Sequence, residues 1–142
     1  MTAQRLHLED ERGGISPFLV ILFAALVGFT GLAYDGGQLF AARREANNIA
    51  AASARAGAND VDEASIYAGT PQLAATAPAT AQNFAAAQGV ATAPATPLDP
   101  FRVQVEVTTT YEPTFLGAFG IGTQTISGIA DARIGIAVTS DG

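Results

Sequence analysis

The sequence has no cysteine, no lysine and no tryptophan, and its single histidine is His7. Without cysteine there is no disulfide framework, no thiolate metal site and no cysteine nucleophile. His7 lies on the short segment before the first apolar run, so no histidine is available to a catalytic triad or a metal site in the rest of the chain. These absences exclude most of the common catalytic and metal-binding arrangements.

Basic residues are also scarce, because seven arginines stand against thirteen acids and leave a formal net charge of −6. Nucleic-acid binders usually carry a basic patch, whereas here Arg43 and Arg44 are the only adjacent basic pair. The acids are scattered, and the glycines near residue 120 lack the lysine and the following helix of a phosphate-binding loop. We therefore expect no nucleic-acid partner, no cofactor, no metal and no enzymatic activity.

An uncharged run, ISPFLVILFAALVGFTGLAY, extends over residues 15–34. At 1.5 Å per helical residue it is about 30 Å long, the thickness of a bilayer hydrocarbon core. This predicts a transmembrane helix over 15–34, preceded by a short tail, residues 1–14. A cleaved secretory signal is the alternative, with a small-residue site near Ala33, although the run exceeds the usual ~7–15 residues of a signal's apolar region. The arginines flanking the run are balanced and leave its orientation open.

Residues 35–58 predict an amphipathic helix that continues the span, with Gly36 and Gly37 marking either a bend or a weak joint in one helix. If the helix is continuous, residues 15–56 form a rod about 63 Å long that stands clear of the bilayer. Its predicted packing seam faces either the protein's own domain or neighbouring subunits. The seam consists of six residues at spacings of three and four: Leu39, Ala42, Ala46, Ile49, Ser53 and Ala56.

Residues 59–100 predict short helices and a linker rich in alanine, threonine and proline. Asp60 and Glu63 have the spacing of a helix cap, and we prefer this interpretation to a calcium site because the further oxygen ligands of a calcium loop are absent. A second helix is predicted over 79–88, ending at Gly89. Residues 91–97 are interpreted as linker.

The last part of the chain, residues 101–142, changes to a two-residue period. Val103, Val105 and Val107 alternate with polar residues, and a second alternating run follows from residue 125. We predict an antiparallel hairpin whose apolar face rests on the preceding helices. The connecting loop carries Phe115, Leu116 and Phe119, which either complete the core or form a patch that faces a partner. The predicted fold class is α+β, with a long N-terminal helix, short helices and an antiparallel sheet of two to three strands.

Residues 12–58 carry a pattern that resembles the TadE/TadG-like proteins of tight-adherence, Flp-type pilus systems. The resemblance rests on a glycine-preceded apolar helix, on the exit sequence GLAYDGG and on the helix AARREANN followed by an alanine-rich stretch. It implies a minor pilin-like or pseudopilin-like structural or assembly component of a pilus. It also implies a bacterial membrane location, with a cytoplasmic amino terminus and an extracytoplasmic C-terminal domain.

The same resemblance implies partners and a processing site. The N-terminal helix would pack with other pilin or pseudopilin subunits or with pilus assembly proteins, and a prepilin peptidase would cut after Gly13 or Gly14. Abundant pilins of this type carry a glutamate five residues after the cut, where this chain has Phe18 or Leu19. The sequence is therefore closer to minor members than to an abundant subunit. A different interpretation, based on the apolar loop at 115–119, is a membrane-anchored extracytoplasmic binding module unrelated to pili.

Overall fold

The computed structural model describes residues 15–135. Its first element is one long helix, α1, which runs from Ile15 to Ala58 over 44 residues. At the helical rise it is about 66 Å long. Gly36 and Gly37 lie inside it without a break, which confirms the continuous-helix interpretation. The apolar span and the amphipathic segment are therefore one element.

Two short helices follow α1. Helix α2 covers Glu63–Tyr67 and α3 covers Ala77–Ala87, after which Gly89 takes the positive φ of 75° that suits a helix end. The predicted cap at Asp60 is wrong, because Asp62 caps α2 by accepting the Ser65 N–H at 3.2 Å. The backbone around Val61 pairs instead with Leu73 in an antiparallel bridge, so no helix can begin at Asp60.

The sheet has four antiparallel strands: β1 (Ala91–Thr92), β2 (Thr96–Asp99), β3 (Arg102–Tyr111) and β4 (Gln124–Arg133). Strand β3 lies in the middle and pairs with β4 along its whole length, which confirms the predicted hairpin. Strands β1 and β2 pair with the other edge of β3. The sheet thus has more strands than the two to three predicted, because residues taken as linker supply the backbone groups that cover this edge.

The core lies between the C-terminal half of α1, α3 and one face of the sheet. Val103, Val105 and Val107 are fully buried, as the alternation predicts. The helices contribute small side chains to the same cluster: Ala50, Ala54, Ala58, Ala81 and Ala85. Small residues allow close packing, and at Gly128 of β4 a Cβ would lie only 2.5 Å from the Ala46 carbonyl carbon of α1.

All six residues of the predicted seam are buried or half-buried by the protein's own chain. The second half of α1 is therefore not a free rod, because its packing surface is covered by its own domain. Helix α1 contacts both α3 and the sheet, so its buried stripe is wider than the predicted seam. This stripe also includes Ala50, Ala54, Gly57 and Ala58.

Candidate functional site at the end of the apolar helix segment

The first half of α1 projects from the domain with its apolar side chains uncovered. From Phe18 to Tyr34 every large apolar side chain is exposed, in contrast to a core helix of a soluble protein. Among residues 15–135, α1 is the one helix long and apolar enough to cross a membrane. The chain is therefore anchored by a single pass, through residues 15–34.

Asp35 is the first charged residue after this apolar segment, and it is buried, with 1% of its surface exposed. Its carboxylate faces the loop between β3 and β4 and accepts three backbone N–H groups. These donors are Thr114 at 3.1 Å, Phe115 at 2.9 Å and Leu116 at 2.6 Å. A carboxylate that accepts several N–H groups is stabilised in its charged form, and such bonds are among the stronger ones in proteins.

The hydroxyl of Tyr111, at the end of β3, completes this arrangement. It lies 3.3 Å from both the Asp35 Oδ1 and the Asp35 carbonyl oxygen. Burial, followed by the nearby negative charge of Asp35, raises the pKa of Tyr111 above its ordinary value of 10.0. The hydroxyl therefore remains a neutral donor over the physiological range, and no ion pair to Asp35 occurs among the described residues.

Three successive N–H groups that converge on one point form the kind of concavity that binds anions. Here the anion is the protein's own Asp35 side chain, so the concavity is filled. The hydrogen bonds of Asp35 hold the β3–β4 loop against α1, and we name this arrangement the Asp35 clamp. The described residues contain no cluster of three or more metal-ligating side chains.

The clamp brings an apolar loop beside the membrane-spanning segment. Phe115 packs on Gly31, where a Cβ would lie 2.8 Å from the Phe115 Cβ, and its ring meets Tyr34 edge-on at 5.6 Å. A groove of about 320 Å³ continues along α1 between the helix and the loop. Its walls are Phe23, Ala24, Val27, Gly28, Gly31 and Leu32 on α1 and Phe115, Leu116 and Phe119 on the loop.

This contact bears on two alternatives that the sequence leaves open. The loop does not complete the core, because Leu116 is only half-buried and Phe119 is 80% exposed. A signal-type cut near Ala33 would remove Gly31, the residue on which Phe115 packs. Gly31 thus allows close packing between α1 and the protein's own loop.

The predicted site residues separate into two groups. Gly13 and Gly14, the predicted cleavage positions, lie outside the described residues. The predicted seam is buried or half-buried against the protein's own domain. Asp35 was not predicted as a site residue, although a single acid directly after an uncharged run is a signal that could have drawn attention to it.

A second acid, Asp60, has a similar structural role just after the C-terminal end of α1. The Asp60 Oδ2 accepts the hydroxyls of Thr76 at 2.8 Å and Thr80 at 2.7 Å, which fixes the start of α3. On the sheet, Arg102 bridges Asp99 at 3.1 Å and Asp131 at 3.4 Å, and all three side chains are exposed. Exposed pairs of this kind add little stability.

The fold and the site define a single-pass membrane protein with an α+β domain clamped to the end of its span. Comparison with known families adds that residues 13–60 match the family model of putative Flp pilus-assembly TadE/G-like proteins. The chain therefore carries a TadE/G-like segment, and this segment is the whole of α1 with its immediate flanks. No curated protein and no solved structure matches the chain. The family match supports a part in Flp pilus assembly and confirms the resemblance at the positions that carry it.

Proposed function

We propose that the protein is a minor pilin-like or pseudopilin-like component of a tight-adherence, Flp-type pilus, acting as a structural or assembly subunit. The observation that carries the proposal is the division of α1 into two halves within the TadE/G-like segment. The C-terminal half packs against its own domain, whereas the large apolar side chains of residues 18–34 are exposed. An uncovered apolar helix of this kind is suited to packing against apolar helices of other subunits.

One face of the uncovered half is available for such packing. Leu26 and Phe29 are 57% and 72% exposed, and helical spacing places them on the side of α1 away from Gly31 and the loop. Within lipid, helices associate through close van der Waals contact rather than through hydrophobic burial. This outer face is therefore the proposed contact surface for other pilin subunits or for assembly proteins.

The proposed subunit is a minor one and carries no catalytic activity. Residues 15–34 hold no charge, and Phe18 and Leu19 occupy the positions at which an abundant pilin would carry its glutamate. A glutamate in the membrane could pair with the new amino terminus of a neighbouring subunit, and this chain has none to offer. The loop that favoured an unrelated binding module lies beside the span rather than at a free tip of the domain.

Site-specific crosslinking tests the contact surface. The chain has no cysteine, so single-cysteine variants have no background. We expect Leu26→Cys and Phe29→Cys, each labelled with a thiol-reactive photocrosslinker, to form crosslinks, in cells that assemble pili, to pilin subunits or assembly proteins identified by mass spectrometry. Tyr67→Cys is the matched control, because Tyr67 is 83% exposed but lies on α2, beyond the far end of α1.

Two further measurements complete the test. Amino-terminal mass spectrometry of the mature chain would show whether processing occurs after Gly13 or Gly14. Deletion of the chain should reduce pilus assembly. The proposal fails if neither span variant crosslinks to a pilus component and the deletion leaves assembly unchanged.

A further inference from the structure

We propose that the loop of residues 114–123 inserts into the lipid bilayer beside the membrane-spanning part of α1, so that the domain has a second membrane contact. We call this segment the apolar loop. The inference depends on the membrane anchor and is independent of any pilus role. It concerns a surface that faces acyl chains rather than a protein partner.

The first observation is position along the helix axis. Asp35 stands at the end of the span, and Phe115 packs on Gly31, about 6 Å further toward the amino terminus. The groove beside Phe119 extends to Phe23, which lies about 12 Å beyond Gly31 at the helical rise. If residues 15–34 lie in the hydrocarbon region, the apolar loop lies alongside them.

The second observation is the apolar character of the loop and its surroundings. Residues 113–130 contain no charged side chain. Three large side chains of the apolar loop are left uncovered by the protein: Phe115 and Ile121 are each 42% exposed and Phe119 is 80% exposed. They are continuous with the exposed apolar surface of the span, because Phe115 and Phe119 line the same groove as Val27 and Leu32. Tyr34 and Tyr111 lie beside the clamp, at the level where aromatic residues with a polar end favour a membrane interface.

The third observation concerns the main objection to a loop in lipid, which is its backbone. Irregular backbone is tolerated at membrane depth only where it is buried in protein or lines a water-filled cavity, because its polar groups have no partners in lipid. The Asp35 carboxylate accepts the N–H groups of Thr114, Phe115 and Leu116. Three further N–H groups of the loop donate to carbonyls of the loop itself, namely those of Ala118, Gly120 and Ile121. The Asp35 clamp and the loop's own carbonyls therefore pair six of the ten backbone N–H groups of residues 114–123 within the protein.

Fluorescence of the full chain in lipid nanodiscs that hold one copy each tests the inference. An environment-sensitive dye is attached to Phe119→Cys in one sample and to Tyr67→Cys in another. The pair is matched, since both residues are aromatic and their exposures are 80% and 83%. We expect blue-shifted emission, strong quenching by lipids brominated on their acyl chains, and several-fold lower accessibility to aqueous iodide at position 119 but not at 67.

Two other outcomes would overturn the inference. The dye at position 119 could be as accessible to iodide as the dye at position 67, which would place the loop in water. It could also be exposed in single-copy nanodiscs but protected when several copies or other pilus subunits are present, which would show that a protein covers the loop. Ile121→Cys provides a second position, so that a local effect of the dye at 119 does not decide the result.

Discussion

Replacement of Asp35 by asparagine keeps the shape of the side chain but removes its charge and one of its two acceptor oxygens. In the structure, Oδ1 accepts from Thr114 and Tyr111, and Oδ2 accepts from Phe115 and Leu116. An asparagine keeps the most hydrogen bonds to the loop when its side-chain oxygen faces the N–H groups of Phe115 and Leu116. Its NH₂ group then faces the Thr114 N–H, which is left without an acceptor, while the Tyr111 hydroxyl can rotate to accept.

The loss of stability follows from this count. One part-buried N–H without a partner costs up to about 1–3 kcal/mol, and two bonds that lose their charged acceptor weaken by about 1 kcal/mol each. Relief of the cost of burying a charge offsets part of the loss. We therefore expect Asp35→Asn to lower the free energy of unfolding of the domain by about 2–4 kcal/mol. That is a large share of the roughly 5–15 kcal/mol of an ordinary domain.

Native-state hydrogen exchange, read by mass spectrometry on the full chain in detergent micelles, measures this loss where it occurs. Exchange of β3 and β4 amides should accelerate between about thirty-fold and several hundred-fold, because each 1.4 kcal/mol is a factor of ten. Asp62→Asn is the matched control, since asparagine caps a helix as well as aspartate does. If Asp35→Asn changes exchange no more than Asp62→Asn, the Asp35 clamp does not hold the loop and the reasoning is refuted.

Three further predictions concern packing, pH and orientation. Gly128→Ala should lower the free energy of unfolding by about 1–3 kcal/mol or more, because a Cβ there meets the α1 backbone at 2.5 Å. Gly37→Ala should raise it by about 0.5–1 kcal/mol, because a Cβ at Gly37 meets nothing within 4 Å. Equal effects of the two changes on hydrogen exchange would contradict this prediction. Because the pKa of Tyr111 is raised, its contribution is complete below the ordinary pKa of 10.0 and is lost as the pH rises above it. Wild type should therefore lose stability more steeply than Tyr111→Phe as the pH rises above about 10, with parallel curves at lower pH, and parallel curves throughout would count against it. Tyr67→Cys should react with a membrane-impermeant maleimide in cells whose cytoplasmic membrane is intact, since the family resemblance implies an extracytoplasmic domain; labelling that requires permeabilised cells would reverse the orientation.

Periodicity in the sequence was sufficient for the parts of the fold that depend on local repeats. The uncharged run gives the span, the three- and four-residue spacing gives the second half of α1, and the alternation through Val103, Val105 and Val107 gives the buried face of β3. These features repeat over ten residues or more, so one exception does not hide them. Pairing of β3 with β4 then follows from their adjacency in the chain.

The remaining features depend on contacts between distant residues and leave no repeat. Strands β1 and β2 are two and four residues long, and they exist because β3 offers a free edge. Asp60 looked like a helix cap by spacing, yet its partners Thr76 and Thr80 lie 16 and 20 residues away. The Asp35 clamp joins residues about 80 positions apart through backbone N–H groups, which any residue except proline can supply, so no side-chain pattern marks it.

The Asp35 clamp also constrains how the span and the domain move together. Because the carboxylate belongs to α1 and its donors belong to the β3–β4 loop, the loop cannot leave the helix without exposing a buried charge and three N–H groups. If α1 leaves the bilayer to join a filament, the apolar loop therefore leaves with it as part of one unit. Under the two proposals above, the cover of Phe119 would then change from lipid before assembly to a neighbouring subunit after it. A loop that stayed in the membrane while α1 moved would require the clamp to open, at a cost of the same order as that expected for Asp35→Asn.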